Sequence, residues 1–583
     1  MQNRTRQTDK ARMLTELLFS SDAEHPVFPS FVDSLEITFH RLYCSYAPTA
    51  RLTIFGAMQG TTSRWSTNPY FALVIAVIAC GGIPKGYDEG GYSASVSLPS
   101  FKSDYNLTKH RWIDEAELAN RRANISSFNV LGAAFGALIV LDLNDRLGRL
   151  AAWRLACIVW ATGTLIQVFA SGIYGLLLFS RIWAGLGAGG LTVTAPLYLT
   201  EIAPAKTRGL VVGIYMVFLL AFLAMGFFVN YGASVHMATS RTQYRLVQAV
   251  PLIPVGIAYG LSYLCPETPR YLVSKQLHQE GLEALARLRG RAIDDAEITK
   301  EFATIDARQR ERATDLGSVS HWTIFKETQT NPNYRQRFWL LITMQTIAQW
   351  TGGNGITYYV TNIFQYAGLA GDSTSLVSSG AYGILKLVFT MAFTWGLIDL
   401  LGRRRCTLAG LSLQLCAHIY MGIYMGLRPG SADNRDASNA AVASVFVYAV
   451  GWSIGLCTVP YLYGTEIFPT RIRNVSYAIS MALHWFFQFA VVRVTPNMFV
   501  SLDVWGAYLF WALICFSGLV ILGIWMPETK GVPIERMGDL FDGPWYLRWR
   551  AKPTVWDVAS PTGIPQNVAS KDGRILKSID SAL

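Results

Sequence analysis

The chain has 583 residues, of which 51% are hydrophobic and 15% charged, with a net charge of +11. An ordinary soluble domain carries roughly 25% charged residues, so the composition excludes one and points to a chain that avoids charge wherever it meets lipid. The basic excess does not indicate nucleic acid, because Lys and Arg gather in short loops between apolar runs.

In chain order, residues 1–69 are mixed and polar at their start, carry no secretory signal peptide, and read as a cytoplasmic N-terminal segment. Within them 26–60 is fairly apolar but broken by Pro, His and Arg, so it does not count as a span. The runs Phe71–Ile83, Ile173–Phe179 with Ile182–Val193, Leu210–Val229 and Ala507–Met526 hold few or no charges. Most approach the ~20 apolar residues that cross a bilayer core as a helix.

The expected fold is an all-α membrane protein of twelve transmembrane helices in two six-helix halves. The first half (70–265) has spans at 70–92, 126–143, 153–171, 174–196, 209–230 and 246–264; the second (338–526) has them at 338–359, 376–398, 406–427, 441–463, 475–496 and 504–526. A charged linker, 266–337, separates the halves, and Glu280–Arg289 and Asp294–Arg308 have the spacing of short amphipathic helices. Residues 527–583 read as a polar cytoplasmic tail.

Arg146, Arg149 and Arg154, Lys206 and Arg208, Arg403–Arg405, and Arg471 with Arg473 all fall on one side when the spans are counted. That bias places both termini in the cytoplasm, with the plasma membrane as the expected location. Asn106-Leu-Thr108 then lies outside and is a glycosylation candidate, whereas Asn474-Val-Ser476 lies inside. The eight cysteines, Cys44, Cys80, Cys157, Cys265, Cys406, Cys416, Cys457 and Cys515, form no CxxC pair. They read as small buried side chains, and no metal or cofactor is expected.

The halves repeat. Asp145-Arg-Leu-Gly-Arg149 returns as Asp399-Leu-Leu-Gly-Arg403, and Pro266-Glu-Thr-Pro-Arg270 returns as Pro527-Glu-Thr-Lys-Gly531. Glu201 and Arg208 are matched by Glu466 and Arg473 at the same spacing. Two similar halves form the architecture in which a site lies between them near the membrane midplane.

Taken with Gly86-Tyr87-Asp88, Arg181 with Gly185, Gly187 and Gly189, Pro196–Arg208, Gln349–Tyr359, Glu466–Arg473 and Pro527–Met537, these motifs resemble the sugar-porter family of the major facilitator superfamily over residues 70–540. Val212-Gly-Ile-Tyr215 and Val492-Arg-Val-Thr-Pro-Asn497 look most like fungal members of the quinate-permease and hexose-transporter type. The resemblance implies a secondary active transporter, not an enzyme, working by alternating access on a small polyhydroxylated solute, with a proton as coupling ion. A monomer in the bilayer, with no nucleic-acid partner, is the expected form. A facilitative uniporter and a transporter-like nutrient sensor are the alternatives.

Asp88 is an acid inside an apolar span, and such residues usually face a cavity and pair. By the resemblance it carries the coupling proton and pairs with Arg181; a structural ion pair is the alternative. Lys85 precedes Asp88 by three residues, so they share a helix face, and Glu89 follows. Lys85 therefore either snorkels or pairs structurally, pairs with Asp88 itself, or contacts an anionic substrate together with Lys386 of span eight. In span seven Gly352 and Gly353 weaken the helix between Gln349 and Asn354. The resemblance makes these two amides substrate contacts and Tyr358 and Tyr359 an outer gate; interhelical hydrogen bonding is the other reading of the amides.

The chain also departs from the family pattern. Ala348 and Met216 (beside Tyr215) stand where glutamines are usual, His484 stands before Trp485 in place of an amide, and Tyr461 replaces a Trp. Tyr215, Met216, Tyr461, His484 and Trp485 join the candidate substrate contacts, and a less hydroxylated or charged solute becomes plausible. His484 is either a group titrating near neutral pH or a neutral core residue. Asp145, Arg149, Glu201 and Arg208, with Asp399, Arg403, Glu466 and Arg473, read as ion pairs that latch the halves shut on the inside when the site opens outward; solvated topogenic charge is the alternative. Leu141 takes the place of the first glycine of the Asp145–Arg149 motif.

Overall fold

The computed structural model describes residues 68–108, 114–204, 207–316, 321–369, 371–427, 435–530, 532, 537–541 and 546, all helix or connection with no strand among them. The expected N-terminal segment, most of the tail and Cys44 lie outside the described residues.

Among the described residues, eleven helices are long and apolar enough to cross a membrane. Spans one to six are Pro69–Ser95, Glu115–Leu147, Arg149–Phe169, Tyr174–Ile202, Gly209–His236 and Arg241–Leu264. Spans eight to twelve are Thr374–Ala392, Arg403–Gly426, Asp436–Gly464, Arg471–Ser501 and Asp503–Trp525. Span seven is split into Pro332–Trp350 and Gly353–Tyr366, and its polar and glycine residues leave it less apolar than the other eleven. The split sits where the glycine pair predicts it: Gly352 adopts φ +91°, a left-handed conformation that costs a side-chain-bearing residue dearly. Span two starts eleven residues before its predicted boundary of 126, at Glu115, because its first turns are polar and invisible to hydropathy. Asp114 caps that start by accepting from the Glu115 N–H at 2.7 Å.

The linker carries four helices, Pro269–Ser274, His278–Arg289, Ala296–Leu316 and His321–Thr330. The predicted Glu280–Arg289 lies within the second, and the predicted Asp294–Arg308 begins two residues before the third. They mark one end of the bundle, the linker end. Outward-facing side chains such as Phe169, Ile253 and Leu513 are apolar and exposed, as a lipid-facing belt requires. Exposed Asn106, at φ +51°, stands in the connection between spans one and two. Cys157, Cys265, Cys406, Cys457 and Cys515 are buried, Cys80 is half-buried and Cys416 is exposed.

Glycines set the closest helix approaches. A methyl group on Gly86 would come within 1.9 Å of the Leu219 carbonyl oxygen, and one on Gly90 within 1.9 Å of that of Leu223, so spans one and five run backbone against backbone. Leu141, where the family motif has glycine, is only half-buried. Across the halves, Val130, Ala133, Ala134 and Ala137 of span two pack with Tyr358, Trp485 and Val492. Leu220, Leu223 and Phe227 of span five join the core of spans seven to twelve.

The internal repeat has a structural meaning at the linker end. Glu267 accepts from the backbone N–H groups of Arg149 at 3.2 Å and Leu150 at 2.9 Å, capping span three. Glu528 accepts from those of Arg403 at 2.8 Å and Arg404 at 3.2 Å, capping span nine. Burial raises the Glu267 carboxyl above its ordinary value, against the pull of its backbone donors. Each cap works only because the preceding residue is glycine, Gly148 at φ +99° and Gly402 at φ +94°. A methyl group on Gly148 would meet the Glu267 carboxylate at 2.5 Å. Gly148→Ala is expected to cost about 1–3 kcal/mol of stability, read as a lowered melting temperature of the purified protein, whereas Gly175→Ala, which meets nothing within 4 Å, leaves it unchanged or higher.

Candidate functional site

Span one places the first group. Its helix passes into a π-helical turn, Asp88–Tyr92, and such turns recur at functional sites. Asp88 and Arg181 form a buried ion pair, Arg181 Nη1 donating to Asp88 Oδ1. Tyr358 donates its hydroxyl to Asp88 Oδ2 at 2.7 Å. Arg181 also donates from Nε to the Ile125 carbonyl at 2.8 Å and lies 3.8 Å from the centre of the Tyr92 ring. Beside the pair is a cavity of about 20 Å³ lined in part by Asn129, Thr164, Gln167 and Gln248. That is space for a water molecule among polar groups.

Lys85 does not pair with Asp88. It bonds Glu89 at 2.6 Å, one helical turn on, and its ammonium sits 4.3 Å from the centre of the Trp485 ring. Both partners of this pair are buried, so Lys85 pairs structurally and does not snorkel.

A second cluster forms around His484. Its Nδ1 lies 2.7 Å from Gln345 Oε1, and its Nε2 lies 3.1 Å from the Tyr461 hydroxyl and 3.2 Å from Gln349 Nε2. Asn354 Nδ2 in turn donates to Gln349 Oε1 at 3.3 Å. An acceptor at Nδ1 and donors at Nε2 assign the neutral Nδ1–H tautomer. His484 is thus a hydrogen-bonded core residue in this arrangement, and the amides make both interhelical and local bonds.

Lys386 occupies a third place, fully buried, donating to Thr357 Oγ1 at 3.1 Å with the Trp452 ring centre 4.0 Å away. The short helix Gly353–Tyr366 reaches all three places. Asn354, Thr357 and Tyr358 are spaced so that they share one face, and they contact Gln349, Lys386 and Asp88 respectively. Tyr359 points away and donates to the Val492 carbonyl at 3.2 Å.

Of the remaining candidates, Tyr215 is buried with its hydroxyl unpartnered. Met216 faces Leu387 and Thr390 of span eight and Thr394 just after it, and does not enter the amide network. The Trp485 and Trp452 indole N–H groups and both amide atoms of Gln488 are also buried without a hydrogen-bond partner. Buried polar atoms are rarely left so, and these donors and acceptors suit the hydroxyls of a solute. Gln345 and Gln488 were missed by the sequence reading, although each lies one turn from a chosen residue, Gln349 and His484, on the same helix face.

At the linker end Arg149 bonds Glu201 at 3.1 Å and Asp145 at 3.4 Å. Arg403 bonds Glu466 at 3.0 Å. Thr268 donates to Glu201 at 2.6 Å and Thr529 to Glu466 at 3.4 Å, so the two halves repeat the same triad. Arg473 donates to the Phe468 carbonyl from Nε at 3.0 Å and Nη2 at 2.9 Å. The side chains of Arg208, Asp399 and Asn474 lie outside the described residues. In this conformer each of these ties joins elements of one half. Ties across the halves lie toward the other end: Tyr358 to Asp88, and Arg493 at 3.2 Å and Asn497 at 3.0 Å to Asn120.

The Lys85–Glu89 pair has a measurable signature. Glu89→Gln strands a buried ammonium and is expected to destabilise the protein by about 3–5 kcal/mol, with the double change Lys85→Met, Glu89→Gln costing less than either change alone. Thermal unfolding of the purified variants checks this, and additive losses would count against the pair.

Residues 74–541 match the model of the family described as sugar (and other) transporter. A quinate permease of Neurospora terricola is 30% identical over 473 residues, covering 78% of this chain and 86% of the permease. A quinate permease of Emericella nidulans is 30% identical over 481 residues, covering 81% and 88%. Among solved structures, the proton:xylose symporter XylE bound to 6-bromo-6-deoxy-D-glucose superposes with a TM-score of 0.67 at 20% identity, covering 81% of this chain and 99% of that one. The inward-open form of XylE from E. coli gives a TM-score of 0.64 at 19% identity, covering 81% and 100%.

Proposed function

This chain belongs to the sugar transporter family, and we propose that it carries a small polyhydroxylated solute, a sugar or a quinate-like cyclitol acid, by alternating access in symport with a proton. The observation that carries the reading is the double hold on Asp88, by Arg181 of the first half and Tyr358 of the second. A proton on Asp88 removes the charge that both partners hold. Arg181 then keeps the Ile125 carbonyl and the Tyr92 ring, while the tie between the halves through Tyr358 weakens. A ligand shifts a two-state equilibrium only through such differential contacts.

The solute acts on the same helix. Hydroxyls that bond Gln349 and Asn354 draw on the start of Gly353–Tyr366, which bears Tyr358 one turn later. The relatives named quinate permease favour a polyol of cyclitol type. What supports symport over a facilitator is that Lys85 is taken by Glu89, leaving Asp88 to Arg181 and Tyr358. In this reading the conformer is closed at the outer end, the linker end faces the cytoplasm, and the membrane is the plasma membrane. The matched triads of Arg149 and Arg403 hold each half rigid as the halves rock, and the charges beside them are the groups that meet when the site opens outward.

Uptake of labelled quinate, glucose, xylose and galacturonate into transporter-deficient yeast expressing the chain, at acidic and at mildly alkaline pH, tests the proposal. One solute is expected to accumulate above its external level, more at acidic pH, and to do so only without a protonophore. Asp88→Asn is expected to lower that accumulation by about tenfold or more, the scale of one lost coupling interaction. Equilibrating uptake that ignores both protonophore and Asp88→Asn would leave a facilitator. No uptake by protein shown to reach the surface would favour a sensor.

A further inference from the structure

The charges buried at the centre of the bundle do not balance. Among the described residues, Lys85, Arg181 and Lys386 are the basic groups buried there, and Asp88 and Glu89 are the carboxylates. Asp88 is taken by Arg181 and Glu89 by Lys85. Lys386 has no carboxylate within ion-pair distance among the described residues. Its contacts are the Thr357 hydroxyl at 3.1 Å and the rings of Trp452 at 4.0 Å and Tyr382 at 5.4 Å. Aromatic faces and one hydroxyl offset only part of the cost of removing an ammonium from water. The charged form of a buried amine held this way is favoured by an anion brought beside it.

The surroundings favour a carboxylate attached to a polyol. The Trp452 indole N–H is buried and has no partner, and it lies beside the start of Gly353–Tyr366: a methyl group on Gly353 would come within 2.8 Å of it. A helix start carries the positive end of the helix dipole. Asn354 and Gln349, at the same start, present amides to hydroxyl groups. One amine without a carboxylate partner has room for one carboxylate, which a neutral sugar does not bring.

We propose that Lys386 is the carboxylate anchor of the transport site, so that the solute is a polyhydroxy monocarboxylate, a sugar acid or cyclitol acid, and not a neutral sugar. This rests on the reading of the chain as a polyol transporter and narrows it. The sequence pairs Lys85 with Lys386 as candidate anion contacts; the structure separates them, because Lys85 already has its carboxylate.

The test uses the purified full chain in proteoliposomes with quinate, gluconate and galacturonate against inositol and glucose. The acids are expected to be taken up at least about tenfold faster than the neutral polyols at equal low concentration. Lys386→Met is expected to raise KM for the acids by about tenfold to a hundredfold, the loss of a charge-assisted hydrogen bond, while Lys386→Arg retains most of the wild-type preference. If Lys386→Met does not fold, the wild-type protein still decides: quinate is expected to raise its melting temperature in detergent and inositol to leave it unchanged. Preference for neutral polyols, or an unchanged KM for the acids in Lys386→Met, overturns the anchor and leaves polyol transport standing. No transport of either class by folded protein removes the transport reading itself.

Discussion

Inside a lipid-facing helical bundle there is no water to share a charge, so a carboxylate persists there only where other helices bring it partners. Asp88 has two, and they come from different halves of the chain. Much of the centre is arranged around that requirement. Span one winds into a π-helical turn at Asp88 and lies against span five through Gly86 and Gly90. Span four delivers a fully buried Arg181, and the second piece of span seven delivers Tyr358.

In the proposed mechanism the break in span seven is what lets this arrangement move. A continuous helix would be locked along its length by its own hydrogen bonds. Separated at Gly352, the piece Gly353–Tyr366 is a short lever whose one face carries Asn354, Thr357 and Tyr358. A proton at Asp88 and a solute near Gln349 or Lys386 therefore act on the same element, which is the physical content of coupling in the proposed mechanism.

At the linker end the opposite principle holds. Glu267 and Glu528 cap spans three and nine, and the triads of Arg149 and Arg403 tie helices inside each half. Ties inside a half stiffen it; they leave the interface between halves free to change. In the proposed mechanism the repeated motifs stiffen two bodies, and the central charges set how those bodies meet.

Sequence alone determined the all-helical membrane fold, the position of nearly every span and the break at Gly352, and it singled out Asp88, Arg181, Gln349 and Asn354 as candidates. It could do so because a bilayer demands long uncharged runs and tolerates polar residues within them only for cause. Local spacing also placed the paired motifs at the linker end. It left open which acid Lys85 holds, since Asp88 and Glu89 both lie within reach of one helix face. Only the packing of spans four and seven, which occupies Asp88 first, assigned Lys85 to Glu89 and left Lys386 without a carboxylate. The bonding of His484 to Gln345 and Tyr461, and the confinement of the Arg149 and Arg403 ties to single halves, were likewise decided by tertiary structure. Those contacts join residues on different helices, and which helix faces meet is set by the packing of the whole bundle.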